Sequence, residues 1–104
     1  MGLKPVAFEV EKTRNDVVSV DNSSTTISAA TKRVVYHIKN ISANADEVIT
    51  LHFGSQPAIA TYGVVLNPGD SCTDSNSEGY LCYQGDIYAI CAVAGPGSLA
   101  VFER

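Results

Sequence analysis

The stretch Arg33-Val34-Val35-Tyr36-His37-Ile38-Lys39-Asn40-Ile41-Ser42-Ala43-Asn44-Ala45-Asp46-Glu47-Val48-Ile49-Thr50-Leu51-His52-Phe53 carries the clearest pattern in the chain. Val34, Tyr36 and Ile38 fall on one side of an extended backbone. A polar segment at 42–46 intervenes, and Ile49, Leu51 and Phe53 then share a side again. Period two on both arms, with loop-forming residues between them, predicts an antiparallel pair laid over a common core.

The same period recurs outward from this unit, and no window of a dozen residues holds a clean helical stripe. Towards the N-terminus, 16–20 and 25–29 read as two short strands. Asp21-Asn22-Ser23-Ser24 between them is rich in side chains that satisfy turn backbones, which predicts a hairpin. Before these, residues 5–12 place Val6, Phe8 and Val10 on one side and Ala7, Glu9 and Glu11 on the other, as in a half-buried strand after a proline. Towards the C-terminus, 62–66 reads as a strand ending at Asn67-Pro68-Gly69-Asp70, a turn in which proline presets one dihedral and glycine accepts a positive φ. A polar loop is expected at 74–79 and extended structure again at 80–83. Residues 86–93 are apolar on both faces, as in a central strand covered on both sides. Gly95-Pro96-Gly97 turns the chain, and 99–103 closes it.

Seven to nine short strands at this spacing predict an all-β, single-domain β-sandwich or small barrel with Greek-key or jelly-roll-like connections. The division expected is an N-terminal arm or edge strand at 1–14, extended from the body, and a β-sandwich domain at 15–104. The 104 residues are enough for one two-layer core. The composition, 45% hydrophobic and 17% charged, is too apolar for a disordered chain. No apolar run spans a bilayer, and Met1-Gly2-Leu3-Lys4-Pro5 lacks the pattern of a secretory signal, so a cytoplasmic site of synthesis is expected. Asn22-Ser23-Ser24 and Asn40-Ile41-Ser42 match the glycosylation pattern by chance on that reading.

Charge is unevenly placed. Six basic and four acidic residues lie up to Lys39, while from Asn40 to Glu103 there are seven acidic residues and no Lys or Arg. Such a surface repels phosphate backbones, so no nucleic-acid partner is expected. The basic cluster Lys12, Arg14, Lys32 and Arg33 reads as a solvated or interface-facing patch.

Residues able to carry chemistry are few. Cys72, Cys82 and Cys91 are odd in number and fit neither a zinc motif nor a redox pair, so free thiols in a reducing compartment are expected, with a Cys72–Cys82 bridge as the alternative. His37 and His52 are the only histidines, and both alternate away from the apolar side of their strands. On a shared hairpin they would offer two metal ligands, but no third stands at a suitable spacing, and solvent-facing strand histidines are expected instead. Asp46-Glu47 and the pair Asp70 and Asp74 lack the alternating oxygen ligands of a calcium loop. Gly95-Pro96-Gly97 lacks the lysine and amide donors of a phosphate cradle. No catalytic residue, cofactor or metal is therefore expected, and a hydrolase on a β scaffold finds no set of partners here. Tyr62, Tyr80 and Tyr83 border turns, where an aromatic ring anchors an interface at low entropic cost or packs the domain's own loops.

With the strands laid out, 34–103 resembles the small virion proteins of tailed bacteriophages found as capsid decoration (cement) proteins or other head accessories. The residues that carry the likeness are Val34-Val35-Tyr36-His37-Ile38-Lys39-Asn40, Ile49-Thr50-Leu51-His52-Phe53-Gly54, Gly63-Val64-Val65-Leu66-Asn67-Pro68-Gly69-Asp70, Gly85-Asp86-Ile87-Tyr88-Ala89-Ile90 and the strand at 99–103. It covers about two thirds of the chain, and 1–32 adds nothing to it. The resemblance implies a viral structural protein on the capsid surface of a virion, made in the host bacterial cytoplasm. It would bind the major capsid protein and copies of itself as a trimer or dimer, with no membrane partner and no enzymatic step. Val6, Phe8, Val10, Tyr62, Tyr80 and Tyr83 are the candidate partner interface, the first three as an arm pairing with a neighbour's sheet edge. The alternative function is a receptor- or glycan-binding tip module of a phage tail or head fibre. In that reading loops 55–61 and 71–79 carry the ligand, with Tyr62 and Tyr80 as stacking platforms.

Overall fold

The structure, a computed structural model, describes residues 13–54 and 57–104. Eight strands follow one another: β1 (Arg14–Val20), β2 (Thr25–Ser28), β3 (Val35–Asn40), β4 (Ile49–Phe53), β5 (Val64–Leu66), β6 (Ser71–Ser75), β7 (Ile87–Cys91) and β8 (Gly97–Glu103). They form two four-stranded antiparallel sheets, ordered β1-β8-β3-β6 and β2-β7-β4-β5. The hydrogen-bonded pairs include β1 with β8, β2 with β7, β3 with β6 and β4 with β5. This is one long hairpin with its bend between β4 and β5, rolled until β8 meets β3 and β7 meets β4. The domain is a jelly-roll β-sandwich.

The rolled hairpin sorts the loops into two ends. Residues 21–24, 41–48, 67–70 and 92–96 lie at one pole. Residues 29–34 and 76–86 lie at the other, with Thr13 before β1 and Arg104 after β8. We call the latter the chain-end pole.

Between the sheets the inward positions alternate as period two requires. On β8, Gly97, Leu99, Val101 and Glu103 point in, and on β7 Ile87, Ala89 and Cys91 do. Ile38, Ile49, Leu51, Ile87 and Leu99 are 0–1% exposed. Each such side chain contributes roughly 1.5–3 kcal/mol through the water it sheds. Tyr36, Phe53 and Tyr83 continue the core towards the chain-end pole, with ring centroids 5.8 Å apart for Tyr36–Phe53 and 5.3 Å, edge-on, for Phe53–Tyr83.

Two expected hairpins are corrected. The strands at 33–53 do share a core, yet β3 pairs with β6 and β8 while β4 pairs with β5 and β7, in the opposite sheet. Likewise β1 and β2 belong to different sheets. The cause is physical: two strands facing each other across a core show the same alternation as two strands side by side over it. Val34 is also outside the inward set, because β3 begins at Val35 and turns Tyr36, Ile38 and Asn40 inward. Residues 71–75, read partly as loop, form the polar edge strand β6. Residues 80–83 form no strand, and Tyr80 instead closes a turn with Ser77.

The expected turn at 67–70 forms. The Asp70 amide donates to the Asn67 carbonyl at 2.8 Å, and Gly69 takes φ +96°. Asn40, fully buried, holds this pole together: its Nδ2 donates to the Glu47 and Leu66 carbonyls, both at 2.9 Å, and its Oδ1 accepts from the Ser42 amide. An Asn so engaged presents no free side-chain amide.

β7 is central, as its two apolar faces predicted, and part of its outer cover comes from the chain itself. The connection after β4 donates from the Ala58 amide to Ser24 Oγ beside β2, and from the Thr61 amide to Thr50 Oγ1 on β4. Since β7 lies between β2 and β4, this connection crosses over it as a strap, burying Ala58 and Thr50. Gly63 ends the strap at φ +146°, where a Cβ would stand 2.2 Å from the Leu51 carbonyl oxygen.

Candidate interaction surface

At the chain-end pole the loops are fixed from below by one buried cation. Arg33, 2% exposed, donates from Nη1 to the Tyr83 and Gly85 carbonyls and from Nη2 to Ser28 Oγ and the Ala29 carbonyl. Its Nε faces Glu103 Oε2 at 3.6 Å. Glu103 also accepts from Arg14 Nη1 at 3.2 Å and from the Ser28 hydroxyl. One guanidinium thus ties the 29–34 loop and the 76–86 loop to the ends of β2 and β8. The reading of Arg33 as part of a solvated basic patch is corrected: an arginine has enough donors to be buried when carbonyls surround it, and charge counts do not register that.

A second layer of bonds locks the two loops to each other. Gln84 accepts from the Arg33 amide at 2.7 Å and donates to the Arg33 and Cys82 carbonyls. The Thr31 amide donates to the Gln84 carbonyl and the Ala30 amide to Asp86 Oδ1, while within the 76–86 loop the Cys82 amide donates to Asn76 Oδ1.

On this rigid floor apolar side chains stand in the open. Val34 is 58% exposed, Leu81 69% and Tyr80 50%. Ala30, Thr31, Lys32, Val34, Asn76, Leu81, Arg33 and Gln84 line an open groove of about 720 Å³. It adjoins a second hollow of about 530 Å³ bounded by Thr13, Thr31, Lys32, Glu103 and Arg104. A smaller depression of about 480 Å³ lies on the outer face of the β1-β8-β3-β6 sheet, among Asn15, Val17, His37, Ala100 and Phe102.

The expected interface residues fall in different places. Val6, Phe8 and Val10 lie outside the described residues. Tyr62, 69% exposed, stands on the strap over the other sheet, next to the exposed Ile59 and close in sequence to the exposed Val65 of edge strand β5. Tyr80 is on the 76–86 loop beside the groove-lining Leu81, with its hydroxyl donated to Asp74 Oδ2. Tyr83 is half-buried, edge-on to Phe53. Val34 and Leu81 were missed as surface features, whereas Lys32 is exposed as the basic-cluster reading expects. The available signal was Tyr80-Leu81-Cys82-Tyr83, four successive apolar or aromatic residues that a half-covered chain cannot bury together.

Burial pushes the Cys82 and Cys72 thiols up from their usual range, with the nearby Asp74 carboxylate adding to the rise, and burial raises the Tyr83 and Tyr36 hydroxyls too. The Tyr80 hydroxyl is raised chiefly by its bond to Asp74. Such groups stay protonated at neutral pH. All three cysteines are free thiols. His37 and His52 sit on opposite sheets, so the shared-hairpin arrangement does not arise, and His37 Nδ1 is bonded to Thr73 Oγ1. Among the described residues no three His, Cys, Asp or Glu side chains gather around a point where a metal ion would sit. Comparison with known proteins finds no matching family model and no significant match among curated sequences or solved structures.

Proposed function

We propose that this protein is a viral structural protein, a capsid decoration (cement) protein that binds the assembled head of a tailed phage by contact with the major capsid protein. The observation that carries the reading is the chain-end pole, where a buried arginine fixes two loops that hold Val34, Tyr80 and Leu81 exposed on a rigid floor. Exposed apolar side chains on preordered loops lose little entropy on docking, so the area they bury converts to affinity at low cost. A ligand that binds only the assembled shell stabilises it by mass action, and symmetric copies add multivalent attachment. The sequence resemblance over 34–103 points the same way.

The test is co-sedimentation with shells of the major capsid protein encoded in the same genome. Binding to assembled shells, and not to unassembled capsid subunits, is the expected result. Absence from the shell pellet at saturating protein overturns the reading.

The exposed Tyr62 and Tyr80 favour a second reading, a receptor- or glycan-binding tip module of a tail or head fibre, since open aromatic rings beside polar loops are what sugars stack on. A glycan array separates the two: the decoration reading expects no binding, and a saccharide whose retention is lost in Tyr62→Ala decides for the tip module.

A further inference from the structure

We infer that the groove at the chain-end pole receives residues 5–12 of a second copy of this chain, so that copies associate by exchanging their N-terminal segments. The groove has an apolar wall built from Val34 and Leu81, with the exposed Lys32 at its rim. The chain itself supplies a segment of matching chemistry. Val6, Phe8 and Val10 alternate with Ala7, Glu9 and Glu11, one apolar face for the groove and one acidic face for the lysine.

Position makes the match usable. Thr13 bounds the hollow that adjoins the groove, and the two share Thr31 and Lys32, so the segment before Thr13 starts at the groove's edge. β1 runs away from this pole, so filling its own groove would take a turn close to Thr13. Between Val6 and Thr13 there is no Gly, Pro, Asn or Asp to favour that reversal. Eight residues in extended form would reach about 26 Å. Reciprocal exchange closes a dimer, and head-to-tail exchange around an axis closes a trimer. This goes beyond shell binding and does not rest on it, because association is read with the protein alone.

Sedimentation velocity of the full chain over a range of concentrations, without shells, is the experiment. The wild type sediments as a dimer or trimer, and Phe8→Asp and Leu81→Asp each weaken association by at least about tenfold. Mixing the two variants restores a complex, since one retains an intact groove and the other an intact segment. A variant that merely misfolds gives no such rescue. Lys32→Glu weakens association, and combining it with Glu11→Lys recovers it. A wild type that stays monomeric at every concentration, single variants that associate like the wild type, or a mixture that stays monomeric overturns the inference. A monomeric wild type whose stability falls in Phe8→Asp means that the segment docks on its own chain, which also overturns it.

Discussion

Arg33 and Glu103 meet inside the sandwich, Nε to Oε2 at 3.6 Å, with the arginine side chain sealed from solvent and the carboxylate nearly so. The pair joins the loop before β3 to the last residue of β8, and the remaining arginine nitrogens hold the loop carbonyls that shape the groove above. The exposed surface at this pole therefore depends on a buried charge.

Replacing Arg33 with methionine leaves Glu103 with only Arg14 and Ser28, and frees the carbonyls of Ala29, Tyr83 and Gly85. Removal of one partner of a buried pair costs about 3–5 kcal/mol. Urea unfolding of Arg33→Met is expected to show a loss in that range. Arg33→Lys recovers less than half of it, because an ammonium cannot span acceptors on both sides. A loss below about 1 kcal/mol for the methionine variant contradicts the role given to Arg33.

The strap over β7 is pinned at Gly63. An alanine there would place its Cβ against the Leu51 carbonyl at a φ that L residues rarely adopt. Gly63→Ala is expected to cost about 2–4 kcal/mol and to speed hydrogen exchange at the Thr61 amide, which Thr50 Oγ1 now protects. Unchanged exchange at Thr61 would show that the strap does not depend on this close approach.

These two sites mark what the sequence could and could not disclose. The strands were legible because Tyr36, Ile38, Ile49 and Leu51 obey period two and 86–93 is apolar on both faces, and the turn at 67–70 because proline and glycine stand where its dihedrals need them. Sheet membership was not legible. Inward alternation on β3 and β4 is the same whether the strands are bonded neighbours or face each other across the core, so the 33–53 hairpin was the natural reading and the wrong one. β6 was obscured by Ser71, Thr73, Asp74 and Ser75, whose turn preference is overridden by pairing at a sheet edge. At the candidate surface, Tyr80 could be picked out as aromatic beside a turn. Arg33 could not be recognised as buried, since two of its four acceptors, the Tyr83 and Gly85 carbonyls, come from residues about fifty positions away. Leu81 lines the same groove as Val34 because β3 and β6 pair.

Asn40 makes three side-chain hydrogen bonds at the opposite pole with no water access. Asn40→Ala strands the carbonyls of Glu47 and Leu66 and is expected to cost about 3 kcal/mol. For a domain of this size that corresponds to a fall in melting temperature of at least about 12 °C. Asn40→Asp is also destabilised, because a carboxylate cannot donate to those carbonyls. Calorimetry that finds either variant as stable as the wild type contradicts this placement.

Glu47 is held below the usual carboxylate range, first by the Asn44 side-chain amide at 3.0 Å and then by the Asn44 backbone amide. A depressed carboxylate adds stability that is complete above its unfolded value of about 4.3 and is lost as the pH falls through the lower folded value. Urea midpoints from pH 6 to pH 3 are expected to fall more steeply for the wild type than for Glu47→Gln, the two converging at the acid end. Parallel curves would mean that the Asn44 contacts do not favour the ionised form.

If the protein holds neighbouring shell subunits together as proposed, the temperature at which assembled shells come apart shows it most directly. Followed by light scattering with increasing amounts of the protein, that temperature is expected to rise and then saturate, with Leu81→Asp and Val34→Asp giving a smaller rise at equal concentration. Shells that come apart at the same temperature whether or not the protein is present in excess would contradict it.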